Sequence, residues 1–255
     1  MKNKILSVNN LTVRLKKDNS IILKDVCFDL FSGDVLAIDG LNGSGKSTLL
    51  KIINCQTADY VIESGTVHYY PFSNKNVLEF SEKEILAYHS LIGFVPQKDN
   101  YDGLNKVTIE DLIDDAISES NIEKKKIVDC FNTYFKDNGR IHLNSIPGKL
   151  SGGEQRMVSI FLGLMCKRQS RFMIIDEPLN NLDFENATQV SDLINKVRLE
   201  NLDSAIIIVT HCKIITCVNR QRRLVNGVME EKDSKYECHH CMGEPDCSLF
   251  YRNDE

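Results

Sequence analysis

DVLAIDGLNGSGKSTLLKII, Asp34–Ile53, is the stretch on which the fold turns. It passes from a short apolar segment, Asp34–Asp39, through a glycine-rich loop into a helical pattern at Thr48–Ile53. Gly40, Gly45, Lys46 and Ser47 satisfy G-x-x-x-x-G-K-[ST]. The order strand, loop, helix is the setting in which that pattern binds phosphate. Glycines leave backbone amides free to wrap phosphate oxygens, and the helix N-terminus adds partial positive charge. Lys46 is expected to reach the β- and γ-phosphates of a nucleoside triphosphate, and the Ser47 hydroxyl to sit on Mg2+.

Two further stretches complete this chemistry. Phe172–Pro178, FMIIDEP, reads as a buried strand that delivers Asp176 to its polar end, where a carboxylate can hold magnesium. Glu177 follows at the next position, where it can orient or deprotonate the attacking water. In Leu150–Arg156, LSGGEQR, Ser151 and Glu154 form the S-x-x-E pattern of a helix start. Gly152 and Gly153 then expose amides at the positive end of that helix, which makes a second anion site. One nucleotide does not need two such sites from one chain. The turn is therefore expected to bind the γ-phosphate of a nucleotide held on another copy.

The rest of the chain supplies the frame. Ile5–Val8, Leu11–Leu15 and Ile21–Leu30 alternate apolar and polar residues, as half-buried antiparallel strands do. Ile92–Gln97 reads as a strand that Pro96 ends. Between about residues 98 and 160 the texture turns helical: Thr108 and Asp111 form a capping pair that opens Ile109–Ile117, and Ile127, Phe131, Tyr134 and Phe135 fall at helical spacing. Phe172–Asp176 and Ala205–Thr210 are buried strands separated by a helix over Phe184–Leu199, and Asn226-Gly227 signals a hairpin. These elements predict an α/β fold with a mostly parallel P-loop core sheet, an N-terminal antiparallel β subdomain and an inserted α-helical subdomain.

Composition narrows the possible partners. The chain has 42% hydrophobic and 26% charged residues, with 31 basic against 36 acidic side chains and a net charge of −5. That balance argues against direct nucleic-acid binding, which asks for a basic surface. Apolar runs such as Ile160–Cys166 fall far short of the roughly 20 residues that span a bilayer, and the N-terminus lacks a signal-peptide core. A cytoplasmic protein is expected, peripheral to the membrane through a partner. Six of the nine cysteines are scattered singly, as reduced thiols are. The tail over residues 234–255 gathers Cys238, Cys241 and Cys247 beside two histidines, so zinc there is an expectation to weigh against a flexible docking segment.

Taken together, Gly40–Thr48, Leu150–Gln155 and Phe172–Glu177 resemble the Walker A, signature and Walker B motifs of the ATP-binding cassette (ABC) family. Gln97 in FVPQ is similar to its Q-loop, Leu179–Asp183 (LNNLD) to its D-loop and His211 to its switch histidine; the order agrees over about residues 4–232. The resemblance implies a cassette over residues 1–233. Two such cassettes would pair head to tail around two Mg-ATP, with Gly40, Asn42, Gly43, Ser44, Gly45, Lys46, Ser47 and Thr48 of one facing Ser151, Gly152, Gly153 and Glu154 of the other. It further implies Ser47, Gln97 and Asp176 at magnesium, Glu177 with His211 at the γ-phosphate, and Asp183 held near the site. A separate membrane subunit would be the driven partner; a non-transport ATPase clamp on a soluble partner is the alternative. Leu15 stands where the family places an aromatic that stacks on adenine, and no aromatic lies between Met1 and Phe28. Base stacking is therefore expected to be weak or to come from elsewhere, leaving the choice between ATP and GTP open.

Overall fold

A computed structural model describes residues 2–98, 101, 104–118, 122–180, 182–210 and 215–231. Along the chain run β1 (Lys4–Leu15), β2 (Ile21–Phe31), β3 (Val35–Asp39), α1 (Lys46–Ile53), β4 (Tyr60–Tyr69), α2 (Glu82–Leu91), β5 (Ile92–Val95), α3 (Ile109–Ile117), α4 (Lys124–Tyr134), α5 (Gly152–Met165), β6 (Phe172–Asp176), α6 (Phe184–Glu200), β7 (Ala205–Val209), β8 (Arg220–Val225) and β9 (Val228–Glu231).

The strands form two sheets. An antiparallel one has the order β2-β1-β4, and a six-stranded one the order β5-β6-β7-β3-β8-β9. In the second, β5 through β8 are parallel and only β9 returns antiparallel. The central strands β3, β6 and β7 are buried along their whole length, as expected of parallel strands covered on both faces. Their alternation sorts the core into two halves. Val35, Met173, Ile175, Ile206 and Ile208 face a cluster built with α5, α6 and the helical lobe. Leu36, Phe172, Ile174, Ile207 and Val209 face the other way, onto α1 and the antiparallel sheet. The mostly parallel α/β core with its antiparallel sheet and helices agrees with the sequence expectation.

In the helical lobe, Ile109, Ile113 and Ile117 of α3 and Ile127 and Phe131 of α4 are buried in the first cluster. The Phe131 ring meets Phe161 of α5 edge-on at 5.4 Å between centroids. The Thr108–Asp111 cap forms as expected, with both reciprocal hydrogen bonds present. Asn226 and Gly227 turn the β8–β9 hairpin with φ of 47° and 80°, the left-handed pair that a two-residue turn requires.

Boundaries differ in small, explicable ways. α1 begins at Lys46 rather than Thr48, because Gly45 itself is its N-cap, at φ 105°. β5 stops at Val95, so Gln97 lies on the connection beyond the strand. β4 and α2 carry no clear sequence signal; α2 buries only Tyr88, although Ser81 and Glu84 cap it with a full reciprocal box.

Asp34, 3% exposed, joins the two sheets where β3 begins. It accepts hydrogen bonds from Lys2 Nζ at 3.0 Å, Arg220 Nη1 at 2.6 Å and the Phe31 amide at 3.1 Å. Burial pushes its carboxyl pKa up, but the bonds from Lys2, Arg220 and Phe31 outweigh that and hold it below its ordinary value.

Candidate functional site

β3 and α1 hold the glycine loop between them against β2 and β8. A Cβ on Gly40 would lie 2.1 Å from the Leu224 carbonyl oxygen. One on Gly45 would lie 2.9 Å from both the Ile22 carbonyl oxygen and the Leu23 side chain. With φ of 149° and 105°, these positions accept only glycine without strain. α1 has no side-chain cap hydrogen bond at its N-terminus, so its first amides are left for another acceptor.

Lys46 is 5% exposed and folds back on the loop, donating from Nζ to the carbonyls of Gly40 at 2.6 Å and Leu41 at 3.0 Å. Burial lowers its pKa, against the pull of Glu177, Asp39 and Asp176. The buried Ser44 Oγ has no hydrogen-bond partner among the described residues. A buried cation resting on its own loop carbonyls beside an orphaned hydroxyl fits a cradle for phosphate. The cavity here measures about 400 Å³. It is lined by Asn42, Gly43, Gly45, Lys46, Ser47 and Thr48 together with Leu15, Ile22, Tyr60, Gln97 and Glu177.

Asp176 ends β6 with Oδ1 3.5 Å from Ser47 Oγ. Burial raises its carboxyl pKa; the Ser47 contact lowers it, and the neighbouring Glu177 charge raises it again. A hydroxyl and a desolvated carboxylate are the hard oxygen donors that Mg2+ takes, with phosphates and water completing its shell. Among the described residues no three or more His, Cys, Asp or Glu side chains cluster as a metal site.

Glu177 takes φ 45°, a left-handed conformation that costs a non-glycine residue about 1–3 kcal/mol. The surroundings enforce it. Its amide donates to Val209 O at 2.9 Å, and Arg156 Nη2 donates to the carbonyls of Asp176 and Glu177 at 3.0 and 3.1 Å. Arg156 Nη1 also donates to Pro96 O at 2.5 Å, so one buried guanidinium on α5 joins the Gln97 segment to the end of β6. Gln97 Nε2 donates to Glu177 Oε2 at 2.6 Å, and Asn180 Nδ2 donates to the same oxygen.

The glycine turn at α5 stands apart. Ser151 Oγ accepts from the Glu154 amide at 3.4 Å, while Glu154 Oε2 accepts from Ser151 N and Oγ, both at 2.8 Å. The Ser151 amide bond, then its hydroxyl bond, hold the Glu154 carboxyl below its ordinary pKa against burial. Ser151 and Gly152 are exposed, and none of Ser151, Gly152, Gly153 or Glu154 lines the cavity shared by Lys46 and Glu177. Asp183, also exposed, caps α6 by accepting from Asn186 N at 2.8 Å. His211, Cys238, Cys241 and Cys247 lie outside the described residues.

The structure thus brings Lys46, Ser47, Gln97, Asp176 and Glu177 together and leaves Ser151–Glu154 and Asp183 elsewhere on the same chain. Sequence reasoning missed Arg156, Asn180 and Tyr60. Arg156 had one available signal: a charged residue on the buried side of an otherwise apolar helix.

A family model described as "ABC transporter" matches residues 23–180. The chain is 32% identical over 218 residues to the lipoprotein-releasing system ATP-binding protein LolD of Rickettsia bellii, covering 83% of this chain and 90% of that one. It is 28% identical over 240 residues to the methionine import ATP-binding protein MetN of Ligilactobacillus salivarius, covering 89% of this chain and 64% of the relative. Among solved structures, the dimeric bacterial ABC transporter cassette MJ0796 shares the fold with a TM-score of 0.73 at 24% identity, over 91% of this chain and 100% of that one.

Proposed function

This chain belongs to the ABC transporter family as an ATP-binding, ATP-hydrolysing subunit that uses Mg2+, and on that premise we propose that it pairs head to tail with a second cassette around two Mg-ATP and drives a separate integral membrane subunit. The observation that carries the reading is the separation of its two anion sites. Ser151 and Gly152 are exposed, outside the cavity that Lys46 and Glu177 share, so a second copy or a related cassette must supply the turn that closes each site.

In that arrangement the loop Gly40–Thr48 holds the phosphates, and Lys46 exchanges the Gly40 and Leu41 carbonyls for β- and γ-phosphate oxygens. Ser47, Asp176 and the Gln97 amide oxygen would hold the cation, whose charge would offset that of the phosphates. Glu177 orients the attacking water and accepts its proton. Its contact to Gln97 ties that step to the helical lobe. His211 contacts the γ-phosphate, and Asp183 with Ser151–Glu154 belongs to the facing surface.

Residues 1–233 form the cassette, with the helical subdomain over about 98–160 and the tail 234–255 beyond it. Among the described residues no helix is long and apolar enough to cross a membrane. Relatives named for lipoprotein release and methionine import favour transport over a soluble clamp. The Glu177→Gln variant tests the pairing. With Mg-ATP its mass by light scattering should double, and an unchanged monomer mass at saturating nucleotide would remove the proposal.

A further inference from the structure

We infer that Tyr60 is the stacking platform for the nucleotide base, taking the part that Leu15 cannot play; this rests on the reading of the Lys46 cavity as the ATP site. Leu15 and Tyr60 are directly paired across the antiparallel β1–β4 ladder. Directly opposed residues project from the same face of a sheet, with Cβ atoms about 5 Å apart. Both line the cavity that Lys46 and the glycine loop share, and Ile22 joins them there. An aliphatic floor of Leu15 and Ile22 with a phenol ring beside it is thus continuous with the phosphate cradle.

The ring's backbone is fixed. Tyr60 N donates to Thr57 O at 3.0 Å, and Lys16, just past the end of β1, grips the turn before it, with its N donating to Asp59 O at 2.9 Å and its Nζ to Ala58 O at 2.6 Å. Tyr60 and Ile22 rest against the core cluster beneath the antiparallel sheet, and Tyr60 remains half-buried, so ring surface is left to cover. An aromatic held in place beside a phosphate site offers a π-face that any base can use, and stacking does not depend on hydrogen-bond readout. Tyr60 therefore contributes affinity to ATP and GTP alike and distinguishes nucleotides from bare polyphosphate.

Three Mg2+ complexes on the full chain test this: β,γ-imido ATP, β,γ-imido GTP and inorganic tripolyphosphate. Tyr60→Ala should weaken both imido nucleotides about tenfold or more and leave tripolyphosphate within about twofold, while Tyr60→Phe keeps the parent affinities. In steady-state turnover Tyr60→Ala should raise KM with little change in kcat. The chain contains no tryptophan, so Tyr60→Trp installs a sole reporter whose emission imido ATP should quench and tripolyphosphate should not. Parent-like imido ATP binding by Tyr60→Ala overturns the inference and leaves the phosphate-loop reading standing. Equal loss of nucleotide and tripolyphosphate also overturns it, since that marks a merely structural role. A parent chain that binds tripolyphosphate but no imido nucleotide removes both readings.

Discussion

Among the described residues two helix starts are lined by glycines, and they are built in opposite ways. At α1 the N-cap is a left-handed glycine with no side-chain cap, and Lys46 rests on carbonyls of its own loop. At α5 Ser151 and Glu154 close a reciprocal box, so the cap is made within the chain before any ligand arrives. α2 sharpens the contrast. Its Ser81–Glu84 box has nearly the same geometry, with Ser81 N and Oγ donating to Glu84 Oε2 at 2.8 and 2.7 Å and Glu84 N donating to Ser81 Oγ at 3.4 Å. In place of two glycines, Glu82 and Lys83 follow that cap. A cap stabilises a helix wherever it occurs; bare amides beside it decide whether an anion can approach. The first start is thus a site in need of its ligand, and the second a finished surface that a ligand on another chain can use.

The largest expected effect separates these two. Lys46→Ala should abolish nucleotide binding and lower ATP hydrolysis by about 10³-fold. Gly152→Asp should leave binding to the single chain intact, because a Cβ there meets nothing within 4 Å and an acidic residue suits a helix N-terminus. Its added carboxylate should nonetheless repel the facing γ-phosphate and reduce hydrolysis by about 10²-fold. Equilibrium binding measured beside steady-state turnover reads both, and a Gly152→Asp chain with parent turnover would erase the distinction.

Next in size is the foundation of the first site. Asp34→Ala removes a buried acceptor from Arg220, Lys2 and the Phe31 amide and should cost about 2–4 kcal/mol by urea unfolding. Because the folded pKa of Asp34 lies below its unfolded value, its contribution is full above about pH 4. It is lost as pH falls from there through the depressed folded pKa. Stability curves of parent and variant should therefore converge in acid; a gap that persists there contradicts the assignment.

Much of this was legible in the sequence, for a physical reason. The glycine loop, FMIIDEP and LSGGEQR each concentrate a functional demand into neighbouring residues, and the caps at Thr108 and Ser151 formed as their spacing required. β4 and α2 were not legible. β4 starts with half-buried and exposed residues in place of a clean apolar face, and α2 buries a single tyrosine. Arg156 escaped because its role runs through backbone carbonyls of Pro96, Asp176 and Glu177, which no side-chain pattern announces. Tyr60 escaped because its place depends on register with Leu15 across two strands distant in sequence.

The smallest expected effects test the caps. Ser81→Ala and Ser151→Ala should each destabilise the chain by about 1 kcal/mol, measured as equal shifts in thermal melting. Only Ser151→Ala should also lower turnover; loss of activity in both would make the second cap no more than a helix start.

The most direct measurement mixes two disabled chains. In a Glu177→Gln background, Lys46→Ala and Gly152→Asp are each examined by sedimentation, alone and in equal mixture, at a Mg-ATP concentration that saturates the parent loop. Each alone should remain a monomer. The mixture should pair, because the Gly152→Asp chain holds nucleotide in an intact loop that the Lys46→Ala chain completes with an intact turn. A mixture that stays monomeric, or a Gly152→Asp chain that pairs with itself as readily as its parent, contradicts a site shared between two chains.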